Sequence, residues 1–332
     1  MVSIRNSMTA FVPSFRASTP SERGRGCVLG SAVGDALGAT NEFKTAQELQ
    51  RHPPVRDLIG GGWLGLPAGE VTDDTQMSTC ILQSYAHGYS LDDVTARFGA
   101  WLESSPPDVG ILTRQALEHV ARGVHPRDAG RIAWERSGFI SAGNGAIMRA
   151  APTGVLRAFD REARVLETIE IARITHFDQR CVESSLWLNA AVAALVGGQD
   201  VEDALEAARA EVVWAREHCA LPVVSADHDV LAWVAAARRL SLETLDTSGY
   251  TLATAQVGAW ALLHALSLEA GLIAVVNQGG DADTTGAVAG ALLGARDGVS
   301  AIPARWLEAL LCRAELEQLI ERAVRQVAGV TD

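Results

Sequence analysis

The chain has 332 residues, 48% hydrophobic and 20% charged, and a formal net charge of −12. That balance suits a globular protein with a sizeable core, and the length sets a prior of about two domains. No apolar stretch reaches the roughly 20 residues that a bilayer requires, and the acidic balance lacks the basic footprint of a general nucleic-acid binder. A polyanionic small ligand stays open, because a local metal ion reverses the field around it. The five cysteines are scattered, mostly among apolar residues, and show no metal-ligand spacing. They read as reduced thiols of a cytoplasmic protein. Met1–Pro20 lacks the continuous apolar run of a signal peptide, which agrees with that location.

In chain order, residues 1–18 carry Arg5 and Arg16 and no acid, with Phe11, Val12 and Phe15 dispersed among small residues. They read as a flexible N-terminal arm, able to lie on a partner or on the domain that follows, residues 19–332. Thr19-Pro20-Ser21-Glu22 is a helix start: a capping threonine, proline at the first helical position and a glutamate three residues past the cap. Val28, Leu29, Ala32, Val33, Ala36 and Leu37 then recur at helical spacing. Gly30, Gly34 and Gly38 form a stripe beside them. Each glycine costs a helix about 0.8–1 kcal/mol relative to alanine, so the series predicts the close approach of another backbone or a ligand. Asp35, beside the stripe, is a candidate to support a site from behind.

Ala39–Gly69 is rich in turn residues and reads as a long functional loop. Helices are predicted over 73–87, 91–103, 112–122 and 127–136, and another apolar helical pattern follows Gly143-Asn144-Gly145. The series continues over 161–174, 179–196, 201–218, 228–240, 251–267, 268–277 and 304–328. Strand alternation is almost absent, and there is no solenoid repeat or interior linker. The expected fold is all-α, a single-domain multi-helix bundle, against the two-domain prior.

Two stretches carry chemistry. Thr72, Asp73 and Asp74 open one predicted helix, while Asp281, Asp283 and Thr284 follow the Gly279-Gly280 break and open another. Each supplies two carboxylates and a hydroxyl within four residues, hard oxygen donors with no histidine or cysteine beside them. This suits Mg²⁺ or Mn²⁺ rather than zinc. Either cluster alone reads as helix capping. Together they offer more oxygens than two helix starts use, and a divalent cation would offset the repulsion of four carboxylates. The two helix starts are therefore expected to meet in space around metal.

Gly26–Phe43 (GCVLGSAVGDALGATNEF), Gly60–Met77 (GGGWLGLPAGEVTDDTQM), Gly143–Arg149 (GNGAIMR), Thr175-His176 and Gly279–Thr284 (GGDADT) occur in one order. In that order and spacing the chain resembles the ADP-ribosylglycohydrolase family, in particular its bacterial dinitrogen-reductase-activating, ADP-ribosylarginine-hydrolysing type. The resemblance runs from about Gly26 to the last helix. It implies an all-α enzyme that removes ADP-ribose from modified protein side chains, with two Mg²⁺ or Mn²⁺ ions held by Thr72, Asp73, Asp74, Asp281, Asp283 and Thr284. It further implies that Glu42 matches a mobile glutamate near the scissile bond. Pro107-Asp108-Val109-Gly110 resembles a segment bringing Asp108 to the site, although Ile111 stands where that type can carry asparagine. Gly143, Asn144 and Gly145 match a loop against the ADP-ribose, and His176 matches a histidine lining the distal cleft.

The implied partner is an ADP-ribosylated protein, with arginine N-glycosides as the leading linkage. A second class of function is an immunity-type binding protein that neutralises an ADP-ribosyltransferase toxin by covering it through the N-terminal arm as well as by hydrolysis. A third, a terpenoid synthase with an aspartate-rich metal motif, calls for an aromatic-lined cavity, which 5% aromatic content disfavours.

Overall fold

The computed structural model describes residues 18–222 and 225–330. The arm expected over 1–18 lies outside them except for Ser18, whose hydroxyl donates to Asp297 O at 3.2 Å. The first helix, α1 (Pro20–Gly38), begins as its sequence dictates. Thr19 Oγ1 accepts from Glu22 N while Glu22 Oε2 accepts from Thr19 N. The predicted loop that follows contains one short helix, α2 (Ala46–Leu49), which opens on a second capping box from Thr45 and Glu48.

Then come α3 (Asp73–Tyr85), α4 (Leu91–Glu103), α5 (Ile111–Ala121), α6 (Pro126–Arg136), α7 (Ala151–Leu156) and α8 (Arg161–Arg173). They are followed by α9 (Gln179–Val196), α10 (Val201–His218), α11 (Val230–Ala236), α12 (Thr251–His264) and α13 (Leu268–Val276). The last three are α14 (Ala282–Asp297), α15 (Ala304–Ala309) and α16 (Arg313–Val327). Among the described residues there is no strand, only isolated bridges between Gly61 and Leu66 and between Gly143 and Tyr250. Among the described residues no helix is long and apolar enough to cross a membrane. The fold is all-α, as expected.

A central group of helices is buried almost all round: α9 at every residue but Arg180, and α14 from Ala282 to Ala295. Helices that are apolar on every face belong in a core, and their alanines and glycines let neighbours come close. Outer helices such as α10 and α16 bury one stripe and leave the rest in water.

Two predicted helices are broken. The pattern over 304–328 divides into α15 and α16, although Leu310, Leu311 and Cys312 include neither proline nor glycine. The cause is tertiary. Leu311 N leaves the helical ladder to donate to Gly69 O at 3.1 Å, and Gly69 packs so tightly there that a Cβ would lie 1.8 Å from Ala309 O. The pattern over 228–240 is α11 followed by a short 3₁₀ turn, Ala237–Arg239.

Candidate active site

The glycine stripe of α1 is answered by glycines on α14. A Cβ on Gly30 would lie 2.4 Å from Gly290 O, and one on Gly34 would lie 2.0 Å from Gly286 O. Gly26 meets Gly294 and Gly38 meets Ala282 in the same way, so the helices run antiparallel with backbones in direct contact. What approaches the stripe is backbone, and the consequence is positional. The C-terminal half of α1, with Asp35, lies beside the N-terminus of α14, with Asp281, Asp283 and Thr284.

Asp35, fully buried, then fixes the start of α3. Its carboxylate accepts from Thr72 N (3.0 Å), Thr72 Oγ1 (2.9 Å), Thr75 N (3.1 Å) and Thr75 Oγ1 (2.5 Å). Donors at a helix start carry a partial positive charge, which an anion satisfies. Asp35, from another helix, does the capping at α3, where Thr72 makes no side-chain cap; at the start of α14 Asp281 makes none either. The capping reading of the two acidic clusters therefore fails. The clusters meet directly, since Thr284 Oγ1 donates to Asp74 Oδ2 at 3.3 Å.

The loop before α14 is held against the loop carrying Glu42. Phe43 N donates to Gly280 O at 2.6 Å and Gly280 N to Lys44 O at 2.9 Å. Gly279 and Gly280 have φ of 74° and 66°, and a Cβ on Gly279 would lie 2.1 Å from Lys44 O, so the approach requires glycine. Glu42 Oε2 is held by Trp63 Nε1 at 2.6 Å. Carboxylate oxygens of Glu42, Asp108 and Asp283 all lie within 4.8 Å of one another.

Above the acids opens a cleft of about 440 Å³, within the range of small-molecule sites. Asp73, Asp281, Asp283 and Thr284 line its floor, with Glu42 and Asp108 beside them; Gly143–Gly145 and His176 form one wall. Phe43, Ile111 and Thr113 also line it. Thr72 and Asp74 do not reach the cleft and lie buried behind the floor. Asn144 is turned inward: its amide donates to Asp281 Oδ2 at 2.7 Å and to Thr254 Oγ1 at 3.0 Å, holding an acid of the floor. All twelve residues singled out from the sequence thus gather in one region. Asp35 had a suggested position but no partners, and Trp63 carried no signal, because its one polar bond joins residues from two turns of an irregular loop.

Electrostatically the site is overloaded with acid. Burial, and then neighbouring carboxylates, hold Asp73, Asp74 and Asp283 well above the usual carboxylate range. Burial pushes Glu42 up to about 8 against the opposing Trp63 N–H bond, and Asp35 to about 6 against its four hydrogen bonds. Asp108 is raised too, by burial first. Two carboxylates about 5 Å apart repel by roughly 3.3 kcal/mol at an effective dielectric of 20, so several in one pocket do not ionise together without a cation. The nearby buried Arg149 does not serve, since it donates to Thr175 and the Ile171 carbonyl instead. The residues therefore fit a divalent cation. They are all hard oxygen donors, and among the described residues Asp74 Oδ1 and Asp283 Oδ1 are buried without any hydrogen-bond partner, a rare and costly condition that a ligand would relieve.

Residues 16–331 match the family model described as ADP-ribosylglycohydrolase. The chain is 35% identical over 314 residues to the ADP-ribosyl-[dinitrogen reductase] glycohydrolase of Rhodospirillum rubrum, covering 92% of this chain and 94% of that protein. The chain belongs to the ADP-ribosylglycohydrolase family. It is also 30% identical to the ADP-ribosylarginine hydrolase Tri1 of Pseudomonas putida (strain GB-1), over 90% of this chain and 77% of that protein. A solved structure titled ADP-ribosylglycohydrolase-related protein complex superposes with a TM-score of 0.75 at 32% identity, covering 93% of this chain and 99% of that one. The protein is thus a glycohydrolase.

Proposed function

We propose that the cleft takes ADP-ribose attached to a protein side chain, arginine in the leading case, and hydrolyses the bond from the anomeric carbon to that side chain. Two divalent cations, Mg²⁺ or Mn²⁺, would be held by Thr72, Asp73, Asp74, Asp281, Asp283 and Thr284. The observation that carries this reading is the meeting of two acidic helix starts with orphaned carboxylate oxygens beneath a cleft of ligand size. The arginine linkage is supported by the names of two similar proteins from Pseudomonas putida and Serratia proteamaculans, both ADP-ribosylarginine hydrolases.

Cleavage of an N-glycoside passes through an oxocarbenium-like state, so the site must stabilise positive charge on the ribose and deliver water. When bound, the cations supply Lewis acidity, orientation of the ribose hydroxyls and a more acidic water. Trp63 occupies one oxygen of Glu42, leaving Oε1 for the cleft, and Asp108 stands within reach of the same space. These two acids transfer the proton between water and leaving group. Asn144 keeps Asp281 oriented while that happens.

The deciding experiment is a set of parallel incubations with arginine-, serine- and phosphate-linked ADP-ribose, each with and without chelator. Release from arginine alone, abolished by chelator and restored by Mg²⁺ or Mn²⁺, is expected. Undiminished release in chelator would overturn the metal assignment, and preference for another linkage would overturn the arginine assignment. The alternative reading, occlusion of a toxin by the arm over 1–18, rests on an arm of which only Ser18 is among the described residues, and nothing in the cleft favours it.

A further inference from the structure

Arg149 is a fully buried guanidinium that the proposed reaction does not use. Its neighbours are Met77 Sδ (3.3 Å), the Ile171 carbonyl (3.4 Å), the ring of Phe98 (4.6 Å) and Thr175 Oγ1 (2.6 Å); its Nε is unpartnered. None of these is an anion; the Asp73 carboxylate favours the charge but makes no ion pair with it, and a buried charge so weakly paired is expensive. Its one short hydrogen bond goes to Thr175. That hydroxyl in turn lies 2.8 Å from His176 Nδ1. His176 is buried, yet its Nε2–Cε1 edge borders the cleft where the Gly143–Gly145 loop forms the wall. A Cβ on Gly145 would fall 2.6 Å from Cε1 and 2.9 Å from Nε2, so the loop carries glycine there because the ring edge occupies the space.

Donor and acceptor counting fixes the direction of this chain. Arginine only donates, so Thr175 Oγ1 is the acceptor of that bond. The hydroxyl hydrogen then needs an acceptor of its own, and among the described residues the remaining polar atom beside it is His176 Nδ1. Were Nδ1 protonated, the threonine hydrogen would be stranded in the interior without an acceptor, a costly condition. Thr175 therefore donates to Nδ1, and the ring proton sits on Nε2. We propose that Arg149 and Thr175 are positioning residues that hold His176 as the neutral Nε2–H tautomer, presenting one permanent N–H donor to an acceptor atom of the bound ligand. Burial first, then the charge of Arg149, press the imidazole down to about 3, so the donor does not become an imidazolium in the physiological range. Arg149 occupies one of the two lone pairs of Thr175 Oγ1 and so anchors the hydroxyl, whose hydrogen has His176 Nδ1 as its acceptor.

The identity of the acceptor as an oxygen or nitrogen of ADP-ribose rests on the reading of the cleft proposed above; the tautomer does not. The test is two-bond proton–nitrogen correlation on uniformly ¹⁵N-labelled, ligand-free protein, with the His176 signal assigned by its loss in His176→Gln. The expected spectrum is a neutral Nε2–H imidazole unchanged between about pH 5.5 and pH 8. Thr175→Val, which keeps the shape and removes the hydroxyl, should convert it to a tautomer mixture, and Thr175→Ser should restore the single tautomer. Arg149→Met should also mix the tautomers; should that variant fail to fold, the threonine pair decides. A wild-type Nδ1–H signal, an imidazolium within that range, or identical spectra for wild type and Thr175→Val would each overturn the proposal. Calorimetric titration of the Mg²⁺-loaded protein with ADP-ribose is the second arm, where Thr175→Val should bind roughly tenfold more weakly than Thr175→Ser. ADP-ribose that fails to bind wild type would overturn the reading of the cleft, while the ligand-free spectra still decide the tautomer.

Discussion

Asp35 shows how one side chain decides what others are free to do. By accepting all four hydrogen bonds from Thr72 and Thr75, it removes the demand for a local cap at α3 and leaves Asp73 and Asp74 to face their counterparts on α14. Asp35→Asn keeps the size but loses the charge that suits a helix start, so the Asp73–Asp74 turn should loosen. The expected result is a 10- to 100-fold weaker Mn²⁺ affinity by calorimetry, the range seen when a partner of a metal ligand is lost, with the helical circular dichroism retained. Unchanged affinity would show that Asp35 serves α3 alone. Asp283→Ala should go further and abolish cation-dependent release of ADP-ribose, since Asp283 lies at the junction with Glu42, Asp108 and Asp74. Glu42→Gln should bind cation yet turn over roughly 10²- to 10⁴-fold more slowly, the usual worth of a positioned proton-transfer group; full activity in single-turnover assays would remove Glu42 from the chemistry.

At the scale of elements, the α1–α14 pair makes the site possible, and it contains a sharp stability test. In an exposed helix Gly→Ala gains about 0.8–1 kcal/mol. At Gly34 the new methyl would lie 2.0 Å from Gly286 O, a backbone atom that no rotamer change moves, so the helices must separate at a cost of about 1–3 kcal/mol or more. Gly34→Ala should therefore melt earlier than wild type and bind cation more weakly, because the first turn of α14 shifts. Gly99→Ala on α4, where a Cβ meets nothing within 4 Å, should be neutral or slightly stabilising in the same calorimetric scan. The α1 stripe was legible because glycine at four-residue spacing has few purposes other than close approach. Its partner could not be assigned, since backbone contact between residues far apart in the chain leaves no local pattern. The break between α15 and α16 was hidden for the same reason: it is imposed by Gly69, and helical periodicity runs on through Leu310–Cys312. The acidic pairs were legible as surplus charge at helix starts. The bonds that orient them, from Asp35, Asn144 and Trp63, are long-range or lie in irregular backbone, where spacing carries no information.

For the molecule as a whole, folding gathers carboxyl groups from α1, α3, α14 and two loops into one poorly solvated region, and this couples stability to both pH and cation. Asp35 is raised from 3.8 to about 6 and Glu42 from 4.5 to about 8, and burial holds Asp73, Asp74 and Asp283 well above the usual carboxylate range too. A carboxyl with a raised native pKa binds its proton more tightly folded than unfolded. Its contribution is complete below the unfolded value and is lost as pH rises through the native one. Chelator-treated protein should thus lose melting temperature between about pH 5 and pH 9, by an amount on the order of 5 °C. Divalent cation acts in the opposite sense. Its ligands must be deprotonated to bind it, and binding to the folded state alone adds about 2.7 kcal/mol at a hundredfold excess over Kd. The stabilisation by Mg²⁺ should therefore be small near pH 5.5, larger near pH 8.5, and nearly absent at both in Asp283→Ala. Differential scanning calorimetry at the two pH values, with Mg²⁺ or chelator, measures all three. A Mg²⁺ increment that does not grow with pH, or that persists in the variant, would place the cation somewhere other than the buried acidic floor.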